Sequence, residues 1–318
     1  MNKHTDLAIN AGTLDVLLAR AEAFLEQRAP DWNLLGADDI DMETFNHVVR
    51  AWIQSGAVER HLPLLRRLVE AQHLDGGWGD TRDDTRSKTR ATAFTSQMLL
   101  RCDLQLGGSE FREPVRRAVG FLLRTQRPDG SWDDHKWHYL DATSVATGTL
   151  LFAVKQPWAG AAETDALNRA MAFVLSQQRS DGLWYHKSRG SPVEITAHFL
   201  QKIIPHAGAG QTVKAALRGL LKRQHPNGHW DHENVDSTCD AVRALMLGTV
   251  SAGADMARET SGAIDRAMRW LLAAAETGAV GARPGHRPSV LYTTDVIDTV
   301  WKYRQYGGSE GAILQNYR

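Results

Sequence analysis

Acidic side chains stand at the predicted starts of three helices, each followed two residues later by threonine. These segments are Asp141-Ala-Thr143, Glu194-Ile-Thr196 and Asp236-Ser-Thr238-Cys239-Asp240. A carboxyl group that is removed from water keeps its proton near neutral pH, and it can then act as a general acid. An aspartate at a helix start can instead cap the helix, because its side chain accepts hydrogen bonds from the first N–H groups. The residues alone leave both roles open for Asp236.

The elements that must position these residues are built from a repeat. Four segments align without gaps, and their Trp-to-Trp intervals are 54, 52 and 46 residues. They are Gln72-His-Leu-Asp-Gly-Gly-Trp78, Gln126-Arg-Pro-Asp-Gly-Ser-Trp132, Gln178-Arg-Ser-Asp-Gly-Leu-Trp184 and Gln224-His-Pro-Asn-Gly-His-Trp230. A degenerate copy with Gln27, Asp31 and Trp32 comes first, and a sixth turn without tryptophan is expected near residue 280. A constant period of this kind indicates an array of one structural unit.

Each repeat turn joins two predicted helices. An amphipathic segment precedes the turn, Asp-Gly or Asn-Gly ends that helix, and a mostly apolar segment follows after a polar loop. We expect the turn glutamine to bond the last carbonyl groups of its helix, with the indole covering it on the outside of the fold. The predicted pairs are 13–28/40–55, 60–72/88–102, 111–126/139–154, 163–178/192–204, 211–224/235–250 and 261–275/290–305.

Charged first helices and apolar second helices are typical of an outer and an inner ring. The sequence therefore predicts an all-α protein, a single (α/α)6 barrel domain over residues 1–318, with an open solenoid as the alternative.

Composition narrows the possible partners. Lys+Arg and Asp+Glu both number 37, so the formal net charge is zero and nothing favours nucleic acid. The N-terminus has no apolar core of a secretory signal, and no apolar run approaches the roughly 20 residues of a membrane span. Two cysteines fit a reduced, cytoplasmic protein. The oligomeric state is left open.

The repeats resemble those of the terpene cyclase and prenyltransferase superfamily, which includes squalene-hopene cyclases, oxidosqualene cyclases and the β subunits of protein prenyltransferases. Asn234-Val-Asp236-Ser-Thr238 is similar to the Asp-x-Asp-Asp motif of the class II cyclases, whose middle Asp is the general acid. Asp236-Ser-Thr-Cys-Asp240 is also similar to the Asp-Cys-Thr-Ala-Glu motif of oxidosqualene cyclases. The resemblance implies that Asp236 protonates an alkene or an epoxide of a prenyl chain, and that the chain is a cyclase of the isomerase class.

The same resemblance suggests what surrounds the acid. His198 and Cys239 are candidates for its hydrogen-bond partner. The resulting carbocation needs aromatic faces. The candidate lining residues, aromatic and polar, are Phe45, Phe94, Trp137, Tyr139, Asp141, Glu194, Phe199, Asp240, Tyr292 and Trp301.

Metal-dependent variants of this chemistry are not indicated. Asp38-Asp39-Ile-Asp41 and Asp83-Asp84 do not fit the magnesium motif of class I synthases, and Asp236-x-x-Cys239 does not fit the zinc spacing of prenyltransferases. We therefore expect no metal and no cofactor.

Two other functions stay open. One is a non-catalytic protein that binds an isoprenoid or a partner. The other is a carbohydrate-active barrel enzyme with paired carboxylates, against which the repeat turn argues.

Overall fold

The computed structural model describes residues 9–28, 41–81, 83–134, 139–186, 191–208 and 210–308. These residues form twelve α-helices. In chain order the helices are α1 (Ala11–Gln27), α2 (Met42–Ser55), α3 (Leu62–Glu70), α4 (Thr89–Leu106), α5 (Arg112–Thr125), α6 (Tyr139–Ala153), α7 (Ala161–Ser176), α8 (Pro192–Ala207), α9 (Gln211–Arg223), α10 (Val235–Ser251), α11 (Ala254–Ala274) and α12 (Val290–Gly308). The predicted helix pairs agree within a few residues, except that α11 begins well before residue 261.

The described residues contain no β-strand. Their β-structure consists of two isolated bridges, Trp78 with Lys88 and Trp230 with Asn234. None of the described helices has the length and apolarity of a membrane span.

The helices group into two compact units. The continuous unit comprises residues 28–176 and carries α2–α7, whereas the split unit comprises residues 1–27 and 177–318 and carries α1 and α8–α12. In the continuous unit α4 packs against α2, α5 and α6. In the split unit α10 packs against α8, α11 and α12, and α1 packs against α12. The single domain over residues 1–318 stays a prediction.

Burial separates two kinds of helix. Thirteen of the 17 residues of α10 are buried, but only five of the 13 residues of α9. A helix that is buried on most faces must be apolar around its circumference, whereas a surface helix needs one apolar stripe. The predicted inner and outer helices follow this division.

The repeat tryptophans tie each turn to its own helix. Trp78, Trp132, Trp184 and Trp230 have no exposed surface. The Trp132 indole Nε1 donates to the carbonyl of Leu122 at 2.8 Å, near the end of α5, and its backbone N–H donates to Thr143 Oγ1 at 3.0 Å. Trp78 and Trp230 repeat both contacts. Trp32 lies outside the described residues.

The repeat glutamines bind a different partner from the one predicted. Gln126 Nε2 donates to the carbonyls of Gly130 at 3.1 Å and Ala166 at 2.8 Å, so it joins its turn to the next outer helix, α7. Gln72, Gln178 and Gln224 do the same with the outer helices that follow them. The prediction that glutamine binds the last carbonyls of its own helix is wrong, because the indole N–H occupies one of them.

The sixth turn docks in the same way although it lacks tryptophan. Gly130 has a φ of 90°, and an added Cβ would lie 2.3 Å from the carbonyl oxygen of Arg169 in the next outer helix. Gly278 has a φ of 93°, and its Cβ would lie 2.3 Å from Cβ of Arg20 in α1. Within the split unit, the last turn of the chain therefore packs on the first helix.

Candidate active site

Asp236 lies in the first turn of α10, but it does not cap that helix. The cap is Asn234, whose side chain accepts a hydrogen bond from the backbone N–H of Ser237 at 2.9 Å. The capping hypothesis for Asp236 is wrong because Asn234 already satisfies that end of the helix. The Asp236 carboxyl is half-buried and receives no hydrogen bond from the residues that the structure describes.

A strained turn leads into this helix. Asp231, His232 and Glu233 have φ values of 49°, 56° and 66°, a left-handed conformation that costs about 1–2 kcal/mol for each non-glycine residue. The turn places the Asn234 N–H on the Trp230 carbonyl at 3.2 Å. This hydrogen bond holds the start of α10, and with it Asp236, directly beside the repeat turn, and contacts of this kind must offset the strain.

The surroundings of Asp236 favour its protonated form. Burial raises the pKa of this carboxyl well above its usual value, and the negative charges of Asp295, Asp240 and Glu194 raise it further, while Arg243 opposes them. The group of carboxylates resists a further negative charge.

Asp240 shows the opposite behaviour one turn later. His198 Nε2 lies 2.8 Å from Asp240 Oδ2, and Gln201 Nε2 donates to Oδ1 at 3.2 Å. Burial alone would raise the pKa of Asp240, but His198 and Arg243 hold it well below its usual value. Asp240 is thus held in its ionised form beside an Asp236 whose surroundings favour the protonated form.

Arg243 belongs to α10, and its side chain extends towards α12. This side chain is only 1% exposed. Its Nη2 lies 2.5 Å from Asp240 Oδ1, and its Nη1 lies 3.2 Å from Asp295 Oδ1 and 3.4 Å from Asp298 Oδ2. Nη1 also donates to Thr299 Oγ1 at 3.0 Å. Because a guanidinium offers five donors in a plane, it can serve these acceptors together.

The two predicted partners of Asp236 differ in what they contact. His198 pairs with Asp240, as described. Cys239 is completely buried, and burial raises the pKa of its thiol, with Asp236 among the charges that raise it further. A role for Cys239 beside the acid stays a prediction.

The threonine of the acid-x-Thr pattern has a structural explanation. Thr143, Thr196 and Thr238 each accept the backbone N–H of the preceding repeat tryptophan at 3.0–3.1 Å. Thr92 and Thr293 accept the equivalent N–H groups, although no acid stands two residues before them. The threonine belongs to the repeat, and only the residue two positions earlier varies.

The other acidic candidates differ in their exposure. Glu194 is half-buried in the first turn of α8, and its charge contributes to the raised pKa of Asp236. Asp295 is completely buried on Arg243. Asp141 is half-buried in the first turn of α6, in the continuous unit.

Several predicted aromatic lining residues are packed into the protein. Phe45 is fully buried and meets Trp52 edge-on with 5.8 Å between ring centroids, and Phe199 is fully buried with its ring 5.5 Å from Trp184. Without exposed surface, neither ring faces a ligand in this conformation, because both fill the core. Phe94, at 9% exposure, packs edge-on against His47.

The remaining aromatic candidates are half-buried or not described. Tyr292 is half-buried, and the Trp301 ring lies beneath the Arg304 guanidinium at 4.8 Å. Trp137 and the Tyr139 side chain lie outside the described residues. An aromatic lining therefore stays a prediction.

The sequence analysis missed the buried polar network. Arg243, Gln201, Asp298 and Lys302 were not among the candidates, yet all are buried. A signal was present, because the spacing i, i+4, i+7 recurs on three helices. It is formed by Glu194, His198 and Gln201 on α8, by Asp236, Asp240 and Arg243 on α10, and by Asp295, Thr299 and Lys302 on α12. Such a stripe lies on one face of a helix.

Comparisons with known proteins agree with this architecture. No protein-family model matches the chain. The ent-copalyl diphosphate synthase of Streptomyces sp. (strain KO-3988) is 29% identical over 156 residues, 46% of this chain and 29% of the synthase. The labda-7,13-dienyl diphosphate synthase of Streptomyces clavuligerus is 33% identical over 177 residues, 51% of this chain and 29% of that enzyme. Human lanosterol synthase is 30% identical over 142 residues, 40% of this chain and 19% of its length. The chain thus matches less than a third of each of these relatives.

Solved structures resemble nearly the whole chain. The type II terpene cyclase MstE from Scytonema covers 93% of this chain and 99% of its own, with a TM-score of 0.70 and 16% identity. A complex of an MstE variant contains geranylgeranyl dihydroxybenzoate, its substrate. A family 88 glycosyl hydrolase from Bacteroides vulgatus covers 93% of this chain with a TM-score of 0.64 and 12% identity.

These likenesses confirm the all-α, (α/α)6 barrel fold class. The structures alone do not separate a cyclase from a carbohydrate enzyme, because both carry the fold. The chain is similar in sequence to copalyl, labdadienyl and lanosterol synthases, and it is similar in fold to a type II terpene cyclase.

Proposed function

We propose that this protein is an acid-initiated, class II-like terpene cyclase in which Asp236 is the general acid. The observation that carries the proposal is the Asp236 carboxyl itself. It is half-buried, it is not used to cap α10, and the negative charges of Asp240, Asp295 and Glu194 raise its pKa. Such a group is both a proton donor and partly accessible.

The reaction follows from that proton. Asp236 gives its proton to one carbon of a terminal alkene, or to an epoxide oxygen, and becomes a carboxylate. The cation formed on the chain is attacked by the next double bond, so that a ring closes and the cation moves along the chain. Loss of a proton to a base ends the sequence, so the product is an isomer of the substrate. No oxidant, reductant or metal is needed for this balance.

We propose a prenyl-chain small molecule as the substrate. Support comes from the sequence matches to copalyl and labdadienyl diphosphate synthases and from the prenylated aromatic substrate of MstE. The free thiols Cys102 and Cys239 support the proposed cytoplasmic location.

The direct test is incubation of the purified protein with farnesyl diphosphate, geranylgeranyl diphosphate, oxidosqualene and geranylgeranyl dihydroxybenzoate. We expect mass spectrometry to reveal an isomeric, cyclised product from at least one of them. Asp236→Asn should abolish that product while the protein stays folded, because the amide has the same shape but no acidic proton. Asp255→Asn, at the exposed start of the outer helix α11, is the matched control and should retain turnover.

A non-catalytic isoprenoid-binding protein is the second candidate. It predicts saturable binding of the same prenyl compounds with no product in any incubation. Full activity in Asp236→Asn would instead remove Asp236 as the acid and turn attention to Glu194, Asp141 and Asp295.

A further inference from the structure

The site contains five acidic side chains within one unit, and these side chains differ in whether they contact Arg243. Asp240, Asp295 and Asp298 all contact the buried Arg243 guanidinium. Asp236 receives no hydrogen bond from the described residues and has three acidic neighbours, one of which is Glu194. A cluster of carboxyl groups this close cannot be fully ionised, so its proton must reside on one of them.

We propose that Arg243 is a positioning residue that determines which carboxyl of the cluster carries the acidic proton. It holds its three carboxylate partners ionised, so that the proton stays on Asp236. The proposal depends on the proposed function only in one respect, namely that the proton on Asp236 starts the cyclisation.

The geometry supports this assignment. Arg243 reaches two carboxylates of α12 and one of α10 from a single guanidinium, and each contact stabilises the ionised form of its partner. The side chain is 1% exposed, so water does not compete for these contacts. A protonated carboxyl would lose the charge-assisted interaction with Arg243, whereas a protonated Asp236 loses no hydrogen bond to the described residues.

Two further basic side chains lie beside the carboxylates that Arg243 contacts. Lys302 Nζ lies 2.7 Å from Asp298 Oδ2, and His198 Nε2 lies 2.8 Å from Asp240 Oδ2. The three carboxylates that Arg243 contacts therefore face three basic groups, which are Arg243 itself, Lys302 and His198. Glu194 from α8 and the buried thiol of Cys239 are the other titratable groups of this cluster.

The test is infrared spectroscopy of protein labelled with 13C in the aspartate side chains, titrated with pH in the absence of substrate. The protonated carboxyl band that disappears in Asp236→Asn reports Asp236. In wild type we expect this band at pH 7. In Arg243→Gln we expect a second protonated carboxyl band at pH 7, one that survives when Asp236→Asn is added, because a carboxylate that has lost the guanidinium can take up a proton. Arg243→Lys, which retains the charge, should show less of this second band.

Thr299→Val is the matched control, because it removes an uncharged partner of Arg243 and should add no protonated band. If Arg243→Gln fails to fold, Arg243→Lys carries the test, because a lysine ammonium lacks the planar fork that serves several carboxylates together, and a weaker second band is expected. The absence of a second protonated band from the folded Arg243 variants, or an ionised Asp236 in wild type at pH 7, overturns the proposal. A protonated Asp236 in a protein without turnover would sink the proposed function and leave this inference standing.

Discussion

At the scale of residues, Asp236 and Asp240 lie one helical turn apart, and their pKa values are shifted in opposite directions. The difference arises from their partners, because His198, Gln201 and Arg243 surround Asp240 while acidic side chains surround Asp236. The sequence motif placed the acid at Asp236. It could not reveal the partners, because Arg243 reaches Asp295 across 52 positions of the chain.

The charge state of Asp236 predicts a pH dependence of stability. Its pKa is raised in the folded state, so the native protein binds more protons than the unfolded chain above about pH 4. The free energy of unfolding should therefore fall as pH rises from there towards the native pKa. Asp236→Asn removes this loss and should therefore be more stable than wild type at pH 7.

Urea denaturation of both proteins between pH 4 and pH 8 measures this effect. Parallel stability curves would show that Asp236 titrates normally in the folded protein.

At the scale of elements, the repeat was predictable and its internal bonding was not. Glutamine, glycine and tryptophan at constant spacing indicated the turn, and helical periodicity gave the helix bounds. The assignment of glutamine to its own helix was wrong because its real partner, such as Ala166 for Gln126, lies 40 residues further along the chain.

The turn tryptophan should be a principal source of stability for each repeat. Trp132 has no exposed surface and donates its indole N–H to Leu122. We expect Trp132→Ala to lower the free energy of unfolding by about 3–5 kcal/mol, because it leaves a large cavity and an unpaired carbonyl. Trp158→Ala, at a half-buried tryptophan of the same unit, should cost clearly less. Equal melting temperatures for the two variants would contradict the claim that the turn tryptophan stabilises its repeat.

In the strained turn before α10, we expect a substitution that stabilises the protein. His232 is exposed and has a φ of 56°. His232→Gly relieves the strain and should stabilise the protein by about 0.5–1 kcal/mol, while turnover falls because the start of α10 is less fixed. His286→Gly, at an exposed histidine outside the left-handed region, should destabilise instead. A loss of stability in His232→Gly would show that the turn is not strained.

At the scale of the whole molecule, composition and repeat period indicated the barrel class before any coordinates. The number of helices and their order follow from the repeat, because each turn joins an amphipathic helix to an apolar one. The repeat did not predict what the turn at Gly278 packs against, since no outer helix follows that turn among the described residues. The structure supplies α1 for this purpose, through Gly278 on Arg20.

That contact should matter for the whole chain, because it joins its two ends. Gly278 and Gly253 have similar φ values of 93° and 86°, but only Gly278 has atoms within 4 Å of an added Cβ. Gly253→Ala should cost about 1 kcal/mol from backbone strain. Gly278→Ala should cost a further 1–3 kcal/mol or so, from collision with α1. Thermal melts compare the two, and equal shifts would contradict a tight contact.

Proton donation to the prenyl chain is the central claim, and isotope uptake from solvent tests it most directly. The protein is incubated in deuterium oxide with each prenyl substrate that ends in an alkene, and the cyclised product is analysed by mass spectrometry. Epoxide substrates are left out, because a deuteron added to oxygen exchanges with water. If Asp236 starts the reaction, its exchanged carboxyl delivers one deuteron, so the product mass rises by one unit relative to the product from ordinary water. A cyclised product that carries no deuterium would mean that the reaction begins without protonation, and it would contradict the role of Asp236.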